Sequence, residues 1–336
     1  MTKPKSIYYD IAGLLSQQCV FNFVIGNRGG GKTFGAKKLC INRFKKDGSQ
    51  FVWIRRYKTE IDTLQDFWAD IRAHFPNDDL RQEKNRLYIN GEVAGYLIGL
   101  STSMQLKSVA YPLVKTVIFD EFIIDKGRLN YLKNEVHIFL ELFETIARMR
   151  DNVTAVFLGN AISIVNPYFV YFKITPKLNQ RFTKIKGEIC IEFYFNEDFV
   201  EKKKQTRYGK VVQGTAYGDY NMYNKFLRDS DSFIAKRPQS ASYKCYQFII
   251  DGEKFSLWDD HKHACFYVDN AYERNFGVFR TFVLNPEEMD EKDKSHMLLK
   301  KNNEVLKKLR TLIEQGDLYF NNQNTKQKFF EILLTA

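Results

Sequence analysis

"FNFVIGNRGGGKTFGAKK", residues 21–38, sets an apolar β-run, a glycine-rich turn and a helix start end to end. Within it, Gly26-Asn27-Arg28-Gly29-Gly30-Gly31-Lys32-Thr33 fits G-x-x-x-x-G-K-[ST] without deviation. Glycines let backbone N–H groups converge on phosphate oxygens without Cβ clashes, and the helix beginning at Lys32 adds its dipole. Lys32 is placed to neutralise the β- and γ-phosphates of a nucleotide, and Thr33 to hold Mg²⁺. A chance match in a glycine-rich turn is the competing reading. The strand before the loop and the helix after it count against that.

A phosphate cradle of this kind also needs a carboxylate at the end of another buried strand. "TVIFDEF", residues 116–122, supplies Asp120 on the Mg²⁺ side and Glu121 beside it to orient and polarise an attacking water. Thr116 departs from the apolar residue usual at the head of such a strand. Asn160 ends the run "TAVFLGNA", placed to sense the γ-phosphate or the water. Arg148 and Arg150 follow a helix just before that run, and an arginine there reaches a neighbouring subunit's nucleotide or merely faces solvent. "IRRYK", residues 54–58, is either a phosphate-facing cluster or a surface grip on DNA.

The apolar runs at 21–25, 51–54, 116–119 and 154–158 alternate little, the pattern of strands buried on both faces of a parallel sheet. Helical spacing predicts helices over 32–46, 59–74 and 131–148, and Asn90-Gly91 predicts a type I′ hairpin within 86–101. An α/β P-loop domain over 1–196 follows. Residues 197–229, rich in Lys, Gly and Tyr, read as a linker or connecting element. A second, α+β unit spans 230–336. It has a hairpin around Asp251-Gly252, a strand over 264–270, a long amphipathic helix over 286–315, a strand at 317–320 and a last helix over 324–334. That is the order of a small RNase H-like core, an order that other small α+β domains share.

At 336 residues the chain exceeds a usual single domain, and its net charge of +11 favours a polyanionic partner through counterion release. The five scattered cysteines, with no C-x-x-C pair, read as reduced thiols. No h-region of a signal peptide appears, and no run approaches the roughly 20 apolar residues of a membrane span. A soluble intracellular protein with no membrane partner is the expectation.

Several blocks together resemble one family. They are "NFVIGNRGGGKT", "INRF…F…IRRYK", "KSVAYPLVKTVIFDEF", "NEV", the R-x-R at 148–150, "NA-x-S-x-VNPYF" at 160–169, and "QTRYGK" with "GTAYG". The set resembles the genome-packaging ATPases of small tailed bacteriophages with protein-primed DNA, relatives of the large terminases. The blocks run from residue 20 to about 218, and the last third is similar only in its order of elements. The resemblance implies a P-loop NTPase of the ASCE type in a homo-oligomeric ring of five subunits. Such a ring is seated on the portal protein of an empty capsid in the host cytoplasm and drives double-stranded DNA inward with ATP. A scaffold RNA is a further partner that the sequence leaves open. By the same resemblance Lys32 and Thr33 are P-loop residues, Asp120 and Glu121 the Mg²⁺ and water-activating pair, Asn160 a coupling residue and Arg148 a trans-acting arginine finger. Lys107, in "LKSVAYP", matches a second basic residue presented to a neighbour's nucleotide.

Large terminases cut DNA with a two-metal, RNase H-like nuclease. Here "YKCYQFII" carries no acid before Asp251, and Asp259, Asp260 and Asp269 do not fall mid-strand. A nuclease-like domain without activity, kept for nucleic-acid or portal contact, is the expectation. The alternatives are a terminase-like ATPase with an active endonuclease and a non-enzymatic basic adaptor for DNA or portal. His261, His263 and Cys265 alternate as on one strand face, and three ligands fall short of a closed zinc site.

Overall fold

The computed structural model describes residues 9–124, 131–160, 166–172, 174, 180–213, 215, 233–250, 252–300, 303–322, 325–326, 328–330 and 333. The chain divides into two compact units. The first is Met1–Asp125, His137–Ser163 and Pro176–Leu227, and the second Lys126–Val136, Ile164–Thr175 and Arg228–Ala336.

In chain order the elements that build the first unit begin with α1 (Ala12–Leu15), β1 (Phe21–Gly26), α2 (Lys32–Asp47), β2 (Gln50–Arg55) and α3 (Lys58–Asp62). Then come β3 (Leu80–Glu83), β4 (Arg86–Ile89), β5 (Glu92–Gly99), β6 (Val114–Asp120), α4 (Glu135–Ala147) and β7 (Thr154–Asn160). α5 (Pro167–Tyr171) belongs to the second unit; β8 (Phe182–Ile185), β9 (Ile189–Tyr194), α6 (Glu197–Gln205) and α7 (Arg207–Val212) complete the first. Its sheet has nine strands in the order β3-β4-β5-β2-β6-β7-β1-β9-β8. The six from β5 to β9 run parallel, and antiparallel β3, β4 and β8 close the edges.

Both faces of the parallel strands are packed, as their unbroken apolar runs require. On one face Phe23 stacks on Phe157 at 4.3 Å, with Phe122 and Phe139 closing around them. On the other, Val24, Phe51 and Trp53 share a cluster with Phe67, Trp68 and Ile71. Thr116, the polar residue at the head of its strand, is buried and accepts a hydrogen bond from Arg43 Nη1 at 2.8 Å. The hairpin turn Asn90-Gly91 has positive φ at both residues, as a type I′ turn demands. α2 stops at Gly48, which adopts φ 70° and returns its N–H to Phe44.

Two expected helices differ. Instead of one helix over 59–74, α3 ends at Asp62 and only a 3-10 turn, Arg72–His74, follows. Thr63 Oγ1 donates to the Thr59 carbonyl, Asp66 accepts from Trp68 N–H, and Phe67 N–H donates to Gln82. These side-chain partners replace the helical ones and let Phe67, Trp68 and Ile71 turn into the core. α4 begins at Glu135, after Asn134 at φ 56°. Within the stretch read as a linker, α6 and α7 occupy 197–212; residues 216–232 lie outside the described residues.

The second unit is built on β10 (Tyr243–Ile250), β11 (Glu253–Asp260), β12 (Cys265–Asp269), β13 (Thr281–Val283), β14 (His296–Leu298), α8 (Glu304–Gln315) and β15 (Leu318–Phe320). Its sheet order is β14-β13-β10-β11-β12-β15. β10, β11 and β12 form an antiparallel meander, while β13 joins β10, β14 joins β13 and β15 joins β12 in parallel. The expected helix over 286–315 is instead a 3-10 turn (Pro286–Glu288), β14 and α8. Asp293 accepts from Ser295 N–H and Oγ, and Asn303 caps α8 through Val305 N–H, so side chains punctuate the run. His261 and His263 lie in the turn at 261–264, off any strand. All five cysteines are free and buried. No helix among the described residues is long and apolar enough to cross a membrane.

Candidate active site

Strand register brings the motif residues to one edge. Gly26 pairs with Asn160 across β1 and β7, and Asp120 pairs with Leu158 across β6 and β7. The strand ending in Asn160 therefore lies between the glycine loop and the carboxylates. A cleft of about 430 Å³ opens there, lined by Gly29, Gly31, Lys32, Thr33, Asp120, Glu121 and Asn160 among others.

The loop is shaped by close approach and by backbone sign. A Cβ on Gly26 would sit 2.7 Å from the Tyr194 carbonyl oxygen, and Gly29 and Gly31 hold φ of 81° and 83°. Lys32 is only 7% exposed. Its Nζ donates to the carbonyls of Gly26 (2.9 Å) and Asn27 (2.8 Å) and to Asn160 Oδ1 (3.3 Å). Burial pushes the lysine down to about 7, against the attraction of Asp120 and with the repulsion of Lys203. An anionic ligand would reverse that pressure. Among the described residues the buried Asn27 side-chain amide has no hydrogen-bond partner. A cradle holding a buried cation and an orphaned amide suits a polyanion.

Thr33 Oγ1 donates to Asp120 Oδ1 at 3.2 Å. Asp120 is buried, and that burial raises its carboxyl above the usual range; Arg55 opposes the shift and Glu121 adds to it. A hydroxyl against a desolvated carboxylate is a hard-oxygen pair that fits Mg²⁺. Ile54 pairs with Phe119, so Arg55 and Asp120 leave the sheet side by side. Arg55 Nη1 lies 3.3 Å from Asp120 Oδ2, and Nη2 lies 3.2 Å from Glu121 Oε2. Glu121 has φ 59°, a left-handed backbone rare for a non-glycine residue, and its side chain is 57% exposed. Arg56 donates to the carbonyls of Glu121 and Phe122 and so holds that turn. Neither arginine of "IRRYK" is left as a free surface grip.

The profile of the Podovirus DNA encapsidation protein (Gp16) family matches residues 3–335. The chain belongs to that family. The DNA packaging protein of Bacillus phage PZA is 37% identical over 330 residues, 98% of this chain and 97% of that one. A chain of the bacteriophage phi29 viral genome packaging motor assembly is 36% identical, with TM-score 0.59, over 97% of this chain and 98% of that chain. The N-terminal domain of the phi29 DNA packaging ATPase is 42% identical, with TM-score 0.55, over 58% of this chain and 100% of that chain.

Other basic residues singled out in the sequence fall elsewhere. Arg148 follows α4 with φ 50°, at the edge where β7 begins, opposite the edge that carries the cradle. Lys107 pairs with Glu141 on α4 at 3.0 Å. Neither lines the cleft of its own subunit. One contributor was missed in the sequence. α6 lies over the loop, with Phe199 Cζ 3.5 Å from a Cβ built on Gly29 and Lys203 Nζ donating to the Arg28 carbonyl at 3.2 Å. Asn196 followed by Glu197 and Asp198 is a helix-start pattern that would have found it. In the second unit His263 engages Asp260 at 2.8 Å and His261 lies 3.4 Å from Asp259. No group of His, Cys, Asp and Glu able to hold a metal occurs among the described residues.

Proposed function

We propose that this protein is the ATPase subunit of a phage motor that drives double-stranded DNA into an empty capsid. The observation that carries the reading is the single edge where Lys32, Thr33, Asp120, Glu121 and Asn160 meet. The strand inserted between β1 and β6 supports the ASCE type, in which a carboxylate beside the magnesium aspartate activates water.

The loop N–H groups and Lys32 hold the β- and γ-phosphates, and Thr33 with Asp120 would hold Mg²⁺, which supplies charge neutralisation to the phosphates. Glu121 orients a water in line with the γ-phosphate and accepts its proton at the carboxylate. In the present arrangement Arg55 draws Glu121 aside, a resting pose. Asn160 touches Lys32 and so links the strand between the two motifs to the terminal phosphate. Arg148, exposed at the far edge, completes the site of the next subunit in a homo-oligomeric ring of five. Similarity to a chain of the phi29 viral genome packaging motor assembly supports the portal and the DNA as partners. The site of action is the host cytoplasm, at the procapsid.

The second unit reads as an RNase H-like fold without nuclease activity. An antiparallel β10-β11-β12 meander with β13 and β14 added in parallel beside β10 supports the fold. No helix joins β12 to β13 or β13 to β14, a departure from it. Register aligns His296, Thr281, Gln247 and Ser256 in one row across the sheet, and that row reaches an acid only at Asp269, the last residue of β12. Asp260 is engaged by Ser240 and His263, and Asp269 by Arg237 and Trp258. These features favour a contact surface over a second enzyme. Glu121→Gln tests the catalytic reading: it should bind ATP normally and lose turnover, and unchanged turnover would remove Glu121 from the role.

A further inference from the structure

Two arginines stand two residues apart after α4, and the structure treats them oppositely. Among the described residues no hydrogen bond or ion pair engages the Arg148 guanidinium, and the neighbouring Met149 is 97% exposed. Arg150 turns inward instead. Its Nη1 donates to the carbonyls of Pro112 (2.7 Å) and Val114 (2.8 Å), and its Nη2 to those of Tyr111 (2.9 Å) and Ile146 (2.5 Å). One planar fork thus joins the last turn of α4 to the entry of β6. The Ile146 carbonyl belongs to the helix end, where no intrahelical donor remains for it.

The backbone of the turn is equally constrained. Arg148 N–H bonds the Glu144 carbonyl at 2.7 Å with φ 50°, and Arg150 N–H bonds the Ala147 carbonyl at 3.0 Å. Tyr111 is buried edge-on against Tyr96 at 5.2 Å, so the far end of the fork is anchored in the sheet. The anchored segment continues from Lys107, whose own tie to α4 is an exposed ion pair of little worth.

We propose that Arg150 is the positioning residue that fixes the turn carrying Arg148, and with it the segment carrying Lys107, as one preformed probe for the neighbouring subunit. This rests on the reading that Arg148 acts on the neighbour's nucleotide. Lysine cannot replace it, because one ammonium has three protons and no fixed fork to span four carbonyls. Misplacing a reacting group by about 1 Å costs on the order of 10²-fold in rate.

Mixed rings of full-length subunits test this by separating donor from acceptor. Glu121→Gln subunits cannot hydrolyse but donate Arg148; Arg148→Ala subunits can hydrolyse but donate nothing. Mixing the two should restore turnover. Donors carrying Glu121→Gln with Arg150→Gln, or with Arg150→Lys, should restore it on the order of 10²-fold less. Arg150→Gln subunits that serve as acceptors beside Glu121→Gln donors should turn over as wild-type acceptors do, which a folding defect would not allow. Full restoration by the double variant would overturn the inference, as would an equal loss on the acceptor side. Failure of the parent mixture itself would overturn the trans reading, and this inference with it, by a distinguishable pattern.

Discussion

Replacing Arg55 by Met removes the cation that stands between Asp120 and Glu121. At 3.3 Å and an effective dielectric near 20, the Arg55–Asp120 attraction is about 5 kcal/mol. The Arg55 side chain is 24% exposed, so solvent screening cuts this to roughly 2–3 kcal/mol. The pair with Glu121, more than half exposed, adds less than about 1 kcal/mol. A double-mutant cycle of Arg55→Met and Asp120→Asn, followed by urea unfolding in EDTA, should return a coupling of roughly 2–3 kcal/mol. The pH dependence fixes the sign. Asp120 already lies above the usual carboxylate range through burial, and loss of Arg55 pushes it further up. A carboxyl raised on folding contributes stability below its unfolded pKa and loses it as pH rises through the folded one. The destabilisation by Arg55→Met should therefore be largest near neutral pH and shrink towards about pH 4. A coupling under about 0.5 kcal/mol, or a penalty independent of pH, would refute the electrostatic account of this corner.

Asn160→Ala removes the 3.3 Å contact to Lys32 and should lower turnover roughly 10- to 100-fold while shifting nucleotide affinity little, read by kcat against binding. Gly26→Ala drives a Cβ to 2.7 Å from the Tyr194 carbonyl, so β1 and β9 must part; unfolding should show about 1–3 kcal/mol of loss together with weakened ATP binding. Supercoiled plasmid incubated with the full chain and Mg²⁺ or Mn²⁺ should stay intact, and metal-dependent nicking would overturn the inactive reading of the second unit.

What could be read from the letters was local. The glycine loop, the Asp120-Glu121 strand end, Asn160 and the Asn90-Gly91 turn each depend on a few adjacent residues, and the structure places each where its pattern implies. Arg55 could not be read so. Its partners follow from the register of β2 on β6, which no stretch of sequence displays. The runs at 59–74 and 286–315 imitate helical spacing, but short polar side chains at Thr63, Asp66, Asp293 and Asn303 compete for the backbone and break both. Over residues 197–212 a polar, lysine-rich composition read as a linker or connecting element without showing its helices, though Asn196 already marks a helix start. Arg148 and Arg150 were alternatives in the sequence. The family resemblance pointed to Arg148, and the carbonyls of Tyr111, Pro112 and Val114, brought near by the fold, show Arg150 turned inward.

Burial disfavours the charged forms of Lys32 and Asp120, and Glu121, the proposed water activator, is paired with Arg55. Lys32 is pushed down and Asp120 up by the same dry edge, and a polyphosphate with its cation would restore both. On the proposed mechanism, Glu121 exchanges its ion pair with Arg55 for a water.

Steady-state ATPase measured with and without duplex DNA decides whether hydrolysis at this edge is coupled to DNA, as proposed above. Wild-type protein should hydrolyse ATP faster when DNA is added, and Glu121→Gln should show neither basal nor stimulated turnover while still binding ATP. Turnover indifferent to DNA, or stimulated turnover that survives Glu121→Gln, would contradict the account.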